Sequence, residues 1–417
     1  MMSRELEQKM KAVLQKAVES RELGGANVMV TKDGREMCYL EAGYADLEAG
    51  KKIGRDTIFR LYSMTKPVTA VAAMILLERG EICLQTPVEE YLPSFAGGKV
   101  CRGTAASTLS TNGLSRTSAA PVSKEMDLDL QLEDVARPMT LYDLLHMTSG
   151  LTYGDSCTLT ETRTKELLDE AERGLSEKEP MTTQEFAGKA GKIPLLFQPG
   201  TSWKYGISAD IMGAVIEKVT GESFGGFLRK EIFEPLGMTD TAFYVPEEKQ
   251  GRLAKAYETG KDGGLAEYTG NFLGIRNAVD ENARFESGGA GLVSTIGDYE
   301  KFAGMLLNNG SLGGKRILRP AAVEYLTRGR LSGSQQESFK NWFGQSGFSY
   351  GNYMRVLWNP WQSAVLGRQM EYCWDGWLGC CFVNCPQEKV TFLVMQQKKD
   401  AGKLVTRLKN VLFSHDL

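Results

Sequence analysis

The chain has 417 residues, of which 42% are hydrophobic and 24% are charged. These values are ordinary for a globular protein with a large core, so the composition excludes a disordered chain, and the length predicts two or three domains. The net charge is −3 with acidic and basic residues intermixed, which argues against a basic face for nucleic acid.

The N-terminal segment lacks the features of an export signal. Residues 1–20 are charged and contain no apolar run, and no later segment approaches the ~20 apolar residues that span a bilayer. We therefore expect a cytoplasmic protein without a membrane span. Its oligomeric state is left open by the sequence.

Cysteine and histidine usage argues against a metal site. The eight cysteines include no Cys-x-x-Cys pair, and in a chain without an export signal they are expected to be reduced core thiols. The only histidines are His146 and His415, too few for a zinc cluster. We expect neither a metal nor another cofactor.

An amphipathic helix and a hairpin are predicted at the start of the chain. From Arg4 to Ala17 apolar residues recur at helical spacing, and a Gly-Gly pair follows. Two β-rich runs, 26–31 and 36–40, then flank an Asp-Gly turn.

The next signal is Ser63-Met64-Thr65-Lys66, the only Ser-x-x-Lys sequence in the chain. Residues 68–77 are apolar nearly all round, which predicts a buried helix, and Pro67 is tolerated only in its first turn. Residues three apart share a helix face, so Ser63 and Lys66 can meet, and burial would lower the pKa of the lysine enough for it to act as a base. The alternative is a capping serine with a surface lysine.

The middle of the chain, residues 86–284, is predicted to be a mainly helical domain. It holds helical runs at Leu141–Met147, Lys165–Arg173 and Asp210–Val219. Within it, residues 97–122 are rich in Ser, Thr, Ala and Gly and predict a flexible surface loop. We expect this domain to be inserted into a discontinuous α/β sheet domain made of residues 1–85 and 285–417.

Two other serine-hydrolase patterns are weaker. Gly221 to Gly225 matches Gly-x-Ser-x-Gly, but that motif needs a strand before its serine, and here a helix precedes it. We expect Gly221 to end that helix and Ser223 to cap the next. A Ser-His-Asp triad would need His146, at a helix end, or His415, near the C-terminus; both are expected to be structural or exposed.

The C-terminal part mirrors the N-terminal one. Runs at Gly379–Asn384 and Val390–Gln396 flank a turn, and Lys403–Phe413 has helical spacing. Short turns imply antiparallel pairing. The expected fold is therefore α/β (α+β), with an antiparallel sheet formed from both chain ends and flanked by helices.

Several blocks together resemble the class C β-lactamase-like serine hydrolases, which are related to penicillin-binding proteins. In chain order they are Leu61–Ala70 around Ser63, Pro87–Pro93, Thr140–Leu151, Tyr205–Asp210, Gly289–Thr295 and Trp374-Asp375-Gly376. The resemblance covers about residues 25–396 and implies a β-lactamase/transpeptidase-like fold, with the site between sheet and helical domain.

The resemblance also implies roles for individual residues. Ser63 would be the nucleophile, with Lys66 and Tyr205 as the general-base system, Tyr205 acting as a phenolate or as a proton relay. The oxyanion would be held by the backbone N–H groups of Ser63 and Trp377. The alternative is that Tyr205 is an aromatic residue that only packs in the core.

Departures from the family pattern favour an ester as substrate. Where the β-lactamases and peptidases of the family have Tyr-x-Asn and Lys-Thr-Gly, this chain has Ile207 and Trp374, and losing the amide and the cation should weaken the binding of penicillins. A Trp-x-Gly motif resembles the carboxylesterase and acyltransferase branches. We predict a serine hydrolase acting on a small-molecule ester or amide, esters being favoured, with Trp374, Asp375, Gly376 and Trp377 along the substrate.

Some alternatives stay open. Asp375 would favour a cationic or hydroxyl-bearing substrate, or point into solvent. The same fold could serve a β-lactamase, a D-amino-acid amidase or peptidase, an acyltransferase or a non-catalytic binding protein.

Overall fold

Strands from both ends of the chain lie side by side in one antiparallel sheet. The computed structural model describes residues 3–101, 132–155, 158–280, 283–400 and 402–415. The strands are β1 Gly25–Lys32, β2 Arg35–Asp46, β3 Lys51–Lys52, β4 Phe59–Arg60, β5 Lys99–Cys101, β6 Leu132–Asp134, β7 Ala256–Thr259, β8 Leu265–Tyr268, β9 Val293–Ser294, β10 Ser311–Leu312, β11 Lys315–Arg316, β12 Phe348–Gly351, β13 Met354–Leu357, β14 Tyr372–Asp375, β15 Cys381–Cys385 and β16 Val390–Gln396. The main sheet has the order β12-β13-β14-β15-β16-β1-β2-β3, which confirms the predicted sheet from both chain ends.

Helices lie on both faces of this sheet and fill the middle of the chain. They are α1 Arg4–Glu19, α2 Thr65–Glu78, α3 Leu141–His146, α4 Leu159–Glu177, α5 Thr183–Ala190, α6 Ser208–Thr220, α7 Phe224–Leu228, α8 Glu234–Leu236, α9 Glu247–Gln250, α10 Ile296–Leu307, α11 Pro320–Thr327, α12 Gly333–Phe343 and α13 Leu404–Phe413. In the described ranges no helix is long and apolar enough to cross a membrane. The cytoplasmic location stays a prediction.

The two terminal hairpins were both predicted from the sequence and are confirmed. β1 and β2 are joined at Asp33 and Gly34, which both have positive φ, as a two-residue hairpin turn requires. β15 pairs antiparallel with β16, with Cys385 opposite Val390 across the turn 386–389. Strands β1 and β16 then pair with each other, Val28 opposite Val394, and this contact joins the two chain ends.

Side chains alternate between the two faces of the sheet along β1 and β16, and each face packs into a different hydrophobic core. Val28, Val30 and Val394 pack with the buried residues of α1 and α13 on the outer face. Met29 and Leu393 point the other way, into the larger core that contains α2. The two faces therefore have different neighbours, and a residue's parity on a strand decides which face it occupies.

Helix α2 lies at the centre of the larger core. Residues 65–76 of this helix are all buried, as its apolar sequence predicted. A 3₁₀ turn over Tyr62–Met64 leads into it, and the Tyr299 hydroxyl donates to the Met64 carbonyl at 2.8 Å. The sequence thus places Ser63 at the N-terminal end of a buried helix.

The middle of the chain agrees with the predicted helices and differs in one loop. The three predicted runs correspond to α3, α4 and α6. Part of the predicted flexible loop, Lys99–Cys101, is instead a strand, because it pairs with β6 and exchanges backbone hydrogen bonds with Leu195. Residues 102–122 of that loop lie outside the described ranges. The domain boundaries stay a prediction.

Candidate active site

Ser63 lies in the turn before α2, half-buried, beside a strained neighbour. Tyr62 has φ 45, a left-handed conformation that is rare for a large side chain and costs on the order of 1–3 kcal/mol. The Tyr62 ring is held by edge contact with Trp377, at 5.1 Å between centroids, and by Phe272 at 6.2 Å. This packing fixes the turn that presents Ser63.

Lys66 lies one turn beyond Ser63 and is completely buried. Its Nζ contacts the Ser63 Oγ at 3.3 Å, the Tyr153 hydroxyl at 3.0 Å and the Gly289 carbonyl at 2.8 Å. In the described ranges no carboxylate oxygen lies within ion-pairing distance of this amine. Burial lowers the pKa of Lys66 to about 7, and the charges of Asp210 and Asp375 partly oppose that shift.

Tyr205 reaches the same point from the segment before α6. Its ring lies 4.6 Å from the Lys66 Nζ. Burial raises the pKa of the Tyr205 hydroxyl well above its usual range, although the nearby Ser63 side chain acts in the opposite direction. At neutral pH the residue is therefore a phenol.

Tyr153 is a contact of Lys66 that the sequence reasoning missed. It lies 87 positions from Lys66, in a loop after α3, and its ring meets that of Tyr205 edge-on at 5.5 Å. Burial raises its pKa well above the ordinary tyrosine value. No spacing rule connects two such distant positions, so the sequence carried no signal for this contact.

The end of β14 passes directly against the nucleophile turn. A side chain at Gly376 would collide with the Leu61 carbonyl oxygen, so only glycine permits this approach. Within the described residues neither the Ser63 N–H nor the Trp377 N–H donates a hydrogen bond. Unpaired amides of this kind, one in the nucleophile turn and one just after β14, are the donors that an oxyanion requires.

Trp374 and Asp375 point to opposite faces of β14. The buried Trp374 ring lies 5.5 Å from that of Tyr205, on the side of Ser63. The Asp375 carboxylate pairs with Arg355 and lines a cavity of about 380 Å³ together with Cys381. That cavity adjoins the outer core, so the Asp375 side chain faces away from the nucleophile.

Three residues of the two weaker serine-hydrolase patterns have the structural roles predicted for them. Gly221 ends α6 with φ 70, and the Ser223 hydroxyl caps α7 by accepting from the Gly226 N–H. His146 stacks on Tyr142 at 3.9 Å, and burial lowers its pKa to about 4. None of these groups contacts Ser63, Lys66 or Tyr205.

Cysteines do not enter the site either. The seven described cysteines are free thiols, and five are buried: Cys38, Cys373, Cys380, Cys381 and Cys385. Cys83 is exposed and Cys101 half-buried, which differs from the expectation of core thiols. Across the described ranges, no three His, Cys, Asp or Glu side chains are grouped so as to hold a metal ion.

Comparison with known proteins bears on the family and on the fold. The Beta-lactamase family profile matches residues 10–414. The chain is 30% identical over 305 residues to "Esterase EstB" of Burkholderia gladioli, covering 69% of this chain and 66% of that protein. It is 30% identical over 328 residues to the "Lovastatin esterase" of Penicillium rubens, covering 77% and 73%.

The solved structure of "EstCE1, a hydrolase with promiscuous acyltransferase activity" has the same fold. It superposes with a TM-score of 0.79 at 23% identity and covers 98% of each chain. At this identity the match shows the fold, and it confirms the predicted β-lactamase-like architecture.

Proposed function

We propose that this chain, which belongs to the beta-lactamase family, hydrolyses small-molecule carboxylic esters through an acyl-enzyme on Ser63. The observation that carries the proposal is the 3.3 Å contact between the Lys66 Nζ and the Ser63 Oγ. Since burial lowers the pKa of Lys66 to about 7, the unprotonated amine is accessible near neutral pH. Such an amine can accept the serine proton.

The reaction follows from the contacts around Ser63. Its oxygen attacks the ester carbonyl while Lys66 takes the hydroxyl proton. The amides of Ser63 and Trp377 donate to the oxyanion. The C–O bond to the alcohol then breaks, the leaving oxygen receives the proton held by Lys66, and an ester between Ser63 and the acyl group remains. Water repeats the same steps on that ester and releases the acid.

Tyr205 serves this cycle as a neutral phenol. A phenolate would need a lowered pKa, whereas burial raises the pKa of Tyr205. Its hydroxyl can pass the Lys66 proton to the leaving oxygen by giving up its own proton and receiving another. We therefore assign the base to Lys66 and the relay to Tyr205.

The surroundings of Ser63 favour a neutral acyl group. Ile207, which is fully buried, and Trp374 stand where the β-lactamases and peptidases of the family have an amide and a cation, and that cation helps to hold the substrate carboxylate. Aromatic rings flank the nucleophile on both sides, Tyr205 with Trp342 at 4.9 Å and Trp377 with Phe272 at 4.2 Å. Such walls suit apolar ligands. The relatives named as esterases support the same choice.

The test is a series of p-nitrophenyl esters of increasing chain length, with nitrocefin alongside, using wild type and Ser63→Ala. We expect ester hydrolysis and fluorophosphonate labelling by wild type and neither by the variant. A wild-type protein that resists labelling would contradict the acyl-enzyme. Turnover of nitrocefin faster than of short esters would contradict the substrate class.

A further inference from the structure

The third contact of Lys66 is a backbone carbonyl whose position needs an explanation. Gly289 lies in the segment between β8 and β9, within a turn that belongs to no helix or strand. Its carbonyl oxygen is 2.8 Å from the Lys66 Nζ. Something other than regular secondary structure must hold this turn against the amine.

Asp210 of α6 is the group that holds it. One oxygen of its carboxylate, Oδ1, accepts the Ser287 hydroxyl at 2.5 Å and the Gly289 N–H at 3.0 Å. The Ser287 oxygen in turn accepts the Ala290 N–H at 3.0 Å. A Cβ at Gly289 would lie 2.6 Å from the Asp210 Oδ2, so the turn approaches closely only because this residue is glycine.

The carboxylate also lies in an environment without a direct counter-ion. Asp210 is 3% exposed, and in the described ranges no lysine or arginine nitrogen is within ion-pairing distance of it. Burial raises its pKa, and the charge of Lys66 and the bonds from Ser287 and Gly289 oppose this. The nearest positive charge that compensates the Asp210 carboxylate is Lys66, and the two side chains are joined through the backbone N–H and carbonyl of Gly289.

The other groups around Lys66 leave Asp210 as its main source of negative charge. Ser63, Tyr153 and Tyr205 are neutral at pH 7. The remaining carboxylate with an influence on Lys66, Asp375 of β14, is already paired with Arg355 on the outer face. The counter-charge for a protonated Lys66 is therefore supplied from α6.

We propose that Asp210 is a positioning residue that fixes the Gly289 carbonyl on Lys66 and supplies the charge that balances the Lys66 ammonium. It touches neither Ser63 nor the space beside it and acts only through Lys66. The inference deepens the proposed function, because it treats Lys66 as the base. It predicts that the proton affinity of Lys66 depends on this carboxylate.

The test is a direct titration by ¹³C NMR of protein labelled at lysine and aspartate, with signals assigned using Lys66→Ala and Asp210→Asn. In the wild type we expect Asp210 to be ionised throughout the range in which Lys66 titrates. In Asp210→Asn we expect the Lys66 midpoint to fall by about one pH unit or more, because an opposite charge nearby favours the ammonium. Asp375→Asn is the matched control and should shift it less.

The outcomes separate this inference from the proposed function. An Asp210 that stays protonated through the Lys66 titration, or a Lys66 midpoint unchanged in Asp210→Asn, would overturn the inference even if ester hydrolysis is found. If Asp210→Asn does not fold, Asp210→Glu serves for the assignment, and the wild-type titration still decides the point. Ser287→Ala should lower kcat. It should leave the titration midpoint of Lys66 within about 0.3 pH units of the wild-type value, since the charge of Asp210 stays in place.

Discussion

Two lysines are buried on opposite sides of the sheet, and their surroundings differ in one respect. Lys66, on the inner side, contacts two hydroxyls and a backbone carbonyl. Lys409 of α13, on the outer side and 5% exposed, contacts the fully buried Glu371 carboxylate. A direct carboxylate makes Lys409 one half of a buried ion pair and so part of the framework, whereas the neutral contacts of Lys66 leave its amine able to take and release a proton. Burial alone does not identify a functional lysine.

The largest effect that tests this comparison is the loss of the base. Lys66→Met should lower kcat/KM for a p-nitrophenyl ester by about 10²–10⁴-fold, the range for removal of a general base. The variant should remain folded, which circular dichroism can check. Activity within tenfold of wild type would mean that another group takes the serine proton.

The matching substitution on the outer side should affect folding instead. Lys409→Met leaves Glu371 buried without its partner, and breaking a buried pair in this way costs about 3–5 kcal/mol. Urea unfolding measures this loss, while kcat/KM of the folded fraction should stay near the wild-type value. The double variant Lys409→Met with Glu371→Leu should recover most of the stability. If Lys409→Met is as stable as wild type, the pair is not structural.

The pH profile sharpens the comparison without a mutation. The pKa of Lys66 is lowered from 10.5 to about 7, and the base is the neutral amine. Therefore kcat/KM should rise about tenfold per pH unit below pH 7 and level off above it. A stopped assay with a non-phenolic ester leaving group measures this directly. If kcat/KM does not fall between pH 7 and pH 5, the base is not a neutral amine.

The smallest expected effect concerns a neutral contact of Lys66. Tyr153→Phe removes one hydrogen bond and keeps the ring. We therefore expect the transition state to lose about 1 kcal/mol of stabilisation, which lowers kcat roughly fivefold. The free energy of unfolding should change little. A loss as large as that of Lys66→Met would instead indicate that the Tyr153 hydroxyl takes part in proton transfer.

The sequence predicted local features well and contacts between distant segments poorly. The contact between Ser63, in the 3₁₀ turn, and Lys66, in the first turn of α2, followed from Pro67 and the apolar run behind it. Tyr205 required the family resemblance, since its ring arrives from a different segment. Gly289 stood in a block of family resemblance, but its contact with Lys66, like that of Tyr153, was not predicted, because a backbone carbonyl and a loop hydroxyl leave no pattern in the chain.

The sheet shows the same limit. The long terminal strands were predicted, whereas β12 and β13, of four residues each, carry too short an alternation to distinguish them from loops. The face occupied by Asp375 depends on the register of β14 with its neighbours. That register is set by pairing with Val356 and Cys381, which only the assembled sheet reveals.

The pairing of β1 with β16 bears on how the molecule is made. A ribosome releases β1 and β2 tens of seconds before β16 at ordinary rates of translation, so one edge of the first hairpin must wait without its partner. Trp377 likewise emerges long after Ser63. The first hairpin therefore keeps an open, apolar edge through most of synthesis, and the proposed site can be completed only after the segment that follows β14 has left the ribosome.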